Sequence, residues 1–379
     1  MILLLACVTP DPDANPDKPS PDDTADTGGT VPLVLPQWVP DFAWSADAPE
    51  ASAGGVTVVP LILSNGGGVV ALDDAGAVIW AFPTTDAGLT RPPMRAHVSL
   101  DGTAVLFNHT APAADRPAEV VRVPLDGSAP DTVHITGGHT DFVEYTPGGY
   151  ATIGWDIRAF GDRKILGDTI VERDPDGNER VVWSVYDDFE PNLDETYAHL
   201  YPSDPAVEDW SHINGISYAA GEDAYFVSMT FNNGVAKIDR ATGLMDWYVG
   251  DPDGGDFENP DRDRLLALPH SVARIEGGLL AFSRGNPGDP GACSEAVDLA
   301  VDETTREVRR AWSYAAPECL LVTFLGGAER LPGGNTVITW TTAGQIDQVT
   351  PDGRRAWTVN TALGAGIGFA SWTPELATP

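Results

Sequence analysis

The sequence predicts an all-β fold, a six-bladed β-propeller that follows a disordered acidic N-terminal tether. Gly contributes 40 and Pro 32 of the 379 residues, so few stretches are long enough for a helix. A hydrophobic share of 42% is enough for a packed core. From about residue 55 onward, a unit of two β-hairpins recurs along the chain.

The second hairpin of each unit has a recognisable pattern. An apolar strand runs into an acidic Asp-Gly or Thr-Gly turn, and the returning strand ends in Trp, as expected for a tight hairpin. Four clear copies and one degenerate copy occur, at Ala71–Trp80, Glu172–Trp183, Lys237–Trp247, Val349–Trp357 and, degenerate, Val301–Trp312.

The first hairpin of each unit is a short strand, a Gly-containing turn and another strand. Its copies are Arg95–Phe107, Gly138–Ile153, Ser211–Ser228, Pro269–Ser283 and Gly326–Trp340. Five full units and a partial one at Val56–Pro83 predict six four-stranded blades. We expect the end of the chain, Gly366–Trp372, to supply the missing strand and close the ring. The repetition argues against a pair of β-sandwiches, and the repeat length argues against a β-solenoid.

The first 34 residues predict an anchor and a spacer. Residues 1–7 (MILLLAC) read as a partial signal peptide whose lipobox ends in Cys7, the predicted lipidation site. Residues 8–34 are rich in Asp and Pro and read as a disordered tether, and residues 35–379 form the propeller. This organisation predicts an extracytoplasmic, lipid-anchored protein of the periplasm, outer membrane or cell surface. A chance hydrophobic start is the alternative.

The charge restricts the partners. With 56 acidic and 22 basic residues, the chain carries a formal charge of −34. Nucleic acid and anionic membrane surfaces would repel such a protein. We therefore expect no nucleic acid partner and a membrane contact only through the lipid anchor.

Two cysteines remain besides Cys7. In an exported protein, Cys293 and Cys319 are most simply a disulfide. A metal site is the weaker alternative, because no CxxC motif or nearby His accompanies them.

The histidines supply the candidate chemistry. Four of the seven fall at the start of a first strand, and we expect them at one repeat phase around one mouth of the central channel: His97, His139, His212 and His270. Neutral imidazoles bind transition metals, protonated ones bind oxyanions, and imidazole nitrogen is also a nucleophile and a general acid or base. A purely structural ring is the alternative, and the residues alone do not separate these roles.

Several motifs, in the right order, resemble those of bacterial arylsulfate sulfotransferases. The segment Asp209–Asp251 carries Asp, His and Asn, a hairpin, and Ile-Asp-x-x-Thr-Gly before a Trp. The segments Gly137–Gly154, Pro269–Asn286 and Gly326–Trp357 resemble other blades of that family. The likeness extends roughly from residue 56 to residue 376.

The resemblance implies a reaction that needs no cofactor and no nucleotide sulfate donor. An aryl sulfate gives its sulfuryl group to a histidine, and a phenol then accepts it. The nucleophile of the family falls on His270, with His212 as the proton donor to the departing phenoxide and His139 as a supporting residue for the sulfate. Asn214, on the strand face of His212, is expected to orient the substrate.

One position departs from the family. The resemblance implies an Arg in a Ser-x-Arg pattern, and this chain has Thr230 there, which we expect among the substrate-binding residues. Arg284, at nearly the same phase of the next blade, or His97 is the expected substitute in substrate binding. The alternative function is a non-catalytic cell-surface propeller that binds a ligand or partner at its channel mouth.

Overall fold

The structure is a computed structural model that describes residues 35–63, 66–250, 254–362 and 366–377. Cys7 and the tether over residues 8–34 lie outside the described residues. Helical structure in the described part consists of short 3₁₀ turns at Pro49–Ala51, Thr84–Ala87, Val185–Asp187 and Thr341–Ala343. None of the helices described is long and apolar enough to span a bilayer.

Strands account for the rest of the regular structure. The first fourteen are β1 (Phe42–Ser45), β2 (Val56–Leu63), β3 (Gly66–Leu72), β4 (Val78–Pro83), β5 (Ala96–Val98), β6 (Ala104–His109), β7 (Pro117–Pro124), β8 (Asp131–Thr136), β9 (Gly138–Thr146), β10 (Gly149–Phe160), β11 (Arg163–Arg173), β12 (Glu179–Ser184), β13 (Tyr197–Ala198) and β14 (Val207–Asp209). The others are β15 (Ile213–Ala219), β16 (Ala224–Met229), β17 (Gly234–Asp239), β18 (Met245–Gly250), β19 (Pro269–Ile275), β20 (Gly278–Ser283), β21 (Glu295–Asp302), β22 (Glu307–Tyr314), β23 (Gly327–Arg330), β24 (Thr336–Trp340), β25 (Gln345–Val349), β26 (Arg355–Thr361) and β27 (Ser371–Thr373).

These strands form six antiparallel blades, which confirms the predicted propeller. Blades 2, 4 and 5 are the four-stranded sheets β5–β8, β15–β18 and β19–β22. Blade 3 (β9–β12) is extended by β13 and β14, because β14 pairs in parallel with β11. Blade 6 is β23–β26. Every hairpin that the sequence predicted is present.

The ring is closed from both ends of the chain. Strand β27 pairs with β2 and completes blade 1, as the sequence predicted. The preceding residues form single bridges to two blades, Leu61 with Ile367 and Arg95 with Phe369. Strand β1 adds a fifth strand to blade 6 by pairing with β26, which the sequence analysis did not foresee.

Apolar side chains fill each interface between neighbouring blades. Between blades 3 and 4 lie Trp183, Tyr225 and Ile238, and between blades 5 and 6 lie Phe282 and Trp340. Comparable buried clusters join the other four pairs of blades. Burial of this apolar surface holds the blades in a fixed ring, and the ring fixes the inner strands that carry the candidate site.

The predicted disulfide is present. Cys293 and Cys319 are bonded, with their Cα atoms 5.0 Å apart. The bond joins the segment before β21 to the segment after β22, so it closes the outer hairpin of blade 5.

Candidate active site

All four selected histidines lie at or directly before the start of an inner strand, and three of them form a cluster. His139 is the second residue of β9, His212 directly precedes β15, and His270 is the second residue of β19. The charge of His212 acts to lower the pKa of His270. The charge of His139 acts to lower the pKa of Asp209, the partner of His212. The structure therefore brings these three imidazoles into one cluster at one end of the inner strands.

The prediction that the four histidines share one repeat phase is wrong. Ile213 pairs with Met229 and Pro269 pairs with Ser283, each at the last residue of the second strand. By this register Asn214, not His212, corresponds to His270. The inner strands begin irregularly, with left-handed φ angles of 49° at His212 and 50° at Leu268. Alignment of the two histidines by sequence motif is therefore wrong by two residues.

His97 lies apart from the other three. It pairs with Leu106 within the regular part of the β5–β6 ladder. It lines a cavity of about 520 Å³ together with Gly102 and Pro332, which belong to turns at the opposite end of the inner strands. Burial, followed by Arg95, lowers the pKa of His97 to about 4. Its predicted contact with the substrate stays a prediction.

His270 is a buried imidazole that stays neutral. Its side chain is 2% exposed, and its Nδ1 has no hydrogen-bond partner among the described residues. Burial, then the charges of Arg284 and His212, lower the pKa of His270 well below 6.5. A ring nitrogen lone pair is therefore available at neutral pH, as nucleophilic catalysis requires. The ring of Phe369 lies 4.9 Å away.

Arg284 supplies a cation beside His270. Its Nε donates to Leu268 O (3.3 Å) and its guanidinium to Thr323 O (3.1 Å). In the described part of the chain, no carboxylate pairs with it. Burial lowers the pKa of Arg284 to about 10, so it stays protonated at neutral pH. A half-buried guanidinium held only by carbonyl oxygens is suited to binding an anion.

Thr230 occupies in blade 4 the position that Arg284 has in blade 5, because each follows the last residue of its second strand. The Thr230 hydroxyl donates to Pro269 O (2.7 Å) and accepts from Asn214 Nδ2 (2.9 Å). The side chain is fully buried. Thr230 and Asn214 thus connect blade 4 to the residue before His270, and their direct contact with a substrate stays a prediction.

His212 is held by an aspartate. Its Nδ1 donates to Asp209 Oδ2 at 2.6 Å, and burial raises the pKa of Asp209. The bond fixes the ring orientation and the tautomer, which leaves Nε2 for proton transfer. The His212 side chain is 29% exposed, the most accessible ring of the cluster.

His139 is held by a second buried aspartate. Its Nε2 donates to Asp168 Oδ1 (2.9 Å), and Asp168 Oδ2 accepts from Ser211 Oγ and from Ile213 N (2.8 Å). One carboxylate on β11 therefore positions His139 and the backbone next to His212. The His139 ring also has an aromatic neighbour, because Trp155 stacks on it with ring centroids 4.9 Å apart.

Sequence reasoning gave no role to Arg95, Asp168 or Asp209. Arg95 contacts both oxygens of Asp141 at 3.3 Å and lies over Phe369. The contacts of Arg95 and Asp168 join segments that are distant in sequence, so no local motif marks them. Asp209 lies only three residues before His212 and belongs to the Asp-His-Asn motif, which gave it no role by itself. In the described residues, no group of three or more His, Cys, Asp or Glu is arranged to hold a metal ion.

A family profile matches the part of the chain that carries the three clustered histidines. Residues 59–271, more than half of the chain, match the family profile described as "Arylsulfotransferase (ASST)". The chain belongs to the arylsulfotransferase family. The matched region contains His139 and His212 and ends one residue after His270, so it spans the cluster. No curated protein matches the sequence at a significant level.

Similar solved structures share the arrangement only loosely. A protein of unknown function from Bacteroides caccae is 12% identical, with 84% of this chain and 98% of that chain covered and a TM-score of 0.48. A functionally unknown protein from Desulfotomaculum acetoxidans DSM 771 is 9% identical, with 86% and 90% covered and a TM-score of 0.47. A streptogramin B lyase is 13% identical, with 88% and 98% covered and a TM-score of 0.46. No conclusion about this protein follows from similarity at this level.

Proposed function

We propose that the protein transfers a sulfuryl group from an aryl sulfate to a phenol through a covalent intermediate on His270. One observation carries this proposal: a buried, neutral imidazole, whose Nδ1 has no hydrogen-bond partner among the described residues, lies beside a guanidinium that has no carboxylate partner there. The first group is a nucleophile, and the second binds sulfate oxygens.

The first half-reaction makes the intermediate. The lone pair of a His270 ring nitrogen attacks sulfur, the bond between sulfur and the aryl oxygen breaks, and its electrons go to the aryl oxygen. His212 Nε2 gives a proton to that oxygen, so a phenol leaves. Arg284 stabilises the charge on the sulfuryl oxygens, and His139, two blades away on blade 3, has the proposed supporting role.

The second half-reaction reverses these roles. A phenol gives its proton to His212 Nε2, its oxygen attacks sulfur, and the N–S bond breaks to restore the His270 lone pair. Asp209 keeps Nε2 oriented towards the substrate in both halves by holding Nδ1. The residues of this chain thus provide the nucleophile, the proton carrier and the cation that the transfer needs.

The proposal is tested by turnover of a chromogenic aryl sulfate with added phenol. His270→Ala is expected to lower kcat by roughly 10⁴-fold or more, as for loss of a covalent nucleophile. His134→Ala, on the exposed edge strand of blade 2, is the matched control and keeps full activity. An inactive wild-type protein that still binds ligands at the channel mouth would favour the non-catalytic binding propeller.

We also propose that the protein is exported and anchored through a lipidated Cys7. The disulfide supports export, because such bonds persist in oxidising compartments. Labelled fatty acid is expected on the wild-type protein and not on Cys7→Ser, which should leave the membrane fraction. Equal labelling of both proteins, or of neither, would refute the anchor.

A further inference from the structure

A stack of aromatic rings runs from the candidate proton carrier to the protein surface. Phe231 lies on the His212 ring, with centroids 4.7 Å apart and planes 20° apart. Tyr197 lies on Phe231 at 4.1 Å and 31°. Tyr197 is 48% exposed, so the stack ends in an aromatic face that is open to solvent.

The backbone ties this stack to the site. In the short β13–β14 ladder, Tyr197 pairs with Asp209, the residue that holds His212. Phe231 N bonds to Ser211 O, next to His212. The β13–β14 ladder is an addition to blade 3 outside the four-stranded repeat. Tyr197 on β13 pairs with the last residue of β14, and His212 follows that residue by three positions. The ladder therefore fixes the position of the exposed ring relative to His212.

Other apolar side chains are exposed as well, among them Leu244 and Val181, so what distinguishes Tyr197 is its stack on the candidate proton carrier. The protein is strongly acidic, with a formal charge of −34, and a solvent-exposed Tyr ring gains nothing from exposure alone. An aromatic ring in water is stabilised when a second flat ring covers it, since the stacked pair adds an attraction beyond burial of area. A flat apolar ligand bound at the site would provide that cover.

We propose that Tyr197 and Phe231 form a second aromatic subsite, which binds a ring beyond the one that carries the reacting oxygen. The proposal rests on the sulfuryl-transfer function. It implies that the natural acceptor or donor has two or more linked aromatic rings, as in a biaryl or polyphenolic compound. A single-ring phenol reaches His212 and His270 without touching Tyr197.

The test measures the binding of two acceptors without a sulfate donor, so that no reaction occurs. Titration calorimetry compares 4-phenylphenol with phenol on the wild type, Tyr197→Ala, Tyr197→Phe and Leu244→Ala. Leu244 is 66% exposed at a turn of blade 4 and serves as the control for loss of an exposed apolar side chain. Tyr197→Ala is expected to weaken 4-phenylphenol about 5-fold and to leave phenol unchanged, whereas Tyr197→Phe and Leu244→Ala bind both as the wild type does.

Other outcomes overturn the inference in distinguishable ways. If Tyr197→Ala weakens the binding of both ligands equally, or of neither, the second subsite is refuted. The proposed sulfuryl transfer then still stands, provided that the wild type turns over an aryl sulfate. If the wild-type protein binds neither 4-phenylphenol nor phenol and turns over no aryl sulfate, the subsite and the proposed function are overturned together.

Discussion

At the scale of single residues, the candidate site depends on two buried carboxylates that hold its histidines. Asp209 holds His212, and Asp168 holds His139 while it accepts from Ser211 and Ile213 N. Both are about as buried as apolar core residues. Such carboxylates position catalytic rings more than they act on the substrate.

Asp168 is the more informative of the two, because it bridges two blades. Asp168→Asn keeps the shape but replaces one acceptor oxygen by a donor, so it loses one of the contacts to His139, Ser211 and Ile213 N. We expect kcat/KM for an aryl sulfate to fall about 10- to 100-fold, with a changed pH profile. Asp126→Asn, in an exposed turn, is the control. An unchanged pH profile and rate in Asp168→Asn would contradict the positioning role.

Gly215 packs closely against the backbone of His270. A Cβ on Gly215 would lie 2.2 Å from His270 O. Gly215→Ala is therefore expected to shift the His270 backbone, to lower kcat and to cost about 1–3 kcal/mol of unfolding free energy. Gly221→Ala is the matched control on the same blade, since nothing lies within 4 Å of its Cβ. Equal behaviour of the two variants would contradict this close approach.

His109 links the fold to pH. Burial, then Arg91, lowers the pKa of His109 to about 4. Below pH 6.5 the unfolded chain takes up this proton first, so the stability contributed by the neutral ring falls between pH 6.5 and about 4. From pH 7 to pH 5, the wild type should lose about 2 kcal/mol more than His109→Asn in urea unfolding. Equal losses would contradict this assignment, and exposed His134→Asn is the control.

At the scale of elements, the disulfide hairpin of blade 5 supports the cationic side of the site. Ser294, next to Cys293, donates to Arg284 O, and Val322 N donates to Ser294 Oγ at 2.7 Å. Thr323 O accepts from the Arg284 guanidinium. The disulfide to Cys319 ties these two segments together, so it fixes Thr323 O, one of the two carbonyl oxygens that hold the Arg284 guanidinium.

Removal of this disulfide is expected to affect both stability and substrate binding. Cys293→Ser with Cys319→Ser opens a loop of 26 residues in sequence separation, which costs about 3.5 kcal/mol in the loop-entropy account. We also expect a raised KM for the aryl sulfate, with kcat less affected. Reductant should reproduce both effects in the wild type and change nothing in the double variant. A loss of stability with an unchanged KM would contradict the claim that the disulfide helps to position Arg284.

At the scale of the whole molecule, most of the ring was predictable because each blade carries its own turn signals. The Asp73–Gly76 turn shows the reason: Asp73 Oδ1 accepts from Ala75 N and Ala77 N, and Gly76 has a φ of 76°. Such a turn is local, so the sequence reveals it. The pairing of β1 with β26 is not local, because it joins residues more than 300 positions apart.

The site was less predictable than the ring for the same reason. The residue types at His139, His212 and His270 marked the inner strands, but irregular left-handed strand starts concealed their register. Arg95, Asp168 and Tyr197 act through contacts between blades or with added strands, which no repeat pattern encodes. The closed ring, with an apolar cluster at every blade interface, brings these separate signals to one place.

The most direct test of the central claim is mass spectrometry of the protein after incubation with an aryl sulfate and no acceptor. The account predicts an acid-labile adduct of about 80 Da, the mass of a transferred SO₃ group, on a covalent nucleophile. It should map to His270, disappear on addition of a phenol and be absent in His270→Ala. Turnover without any adduct, or an adduct that persists in His270→Ala, would contradict the account.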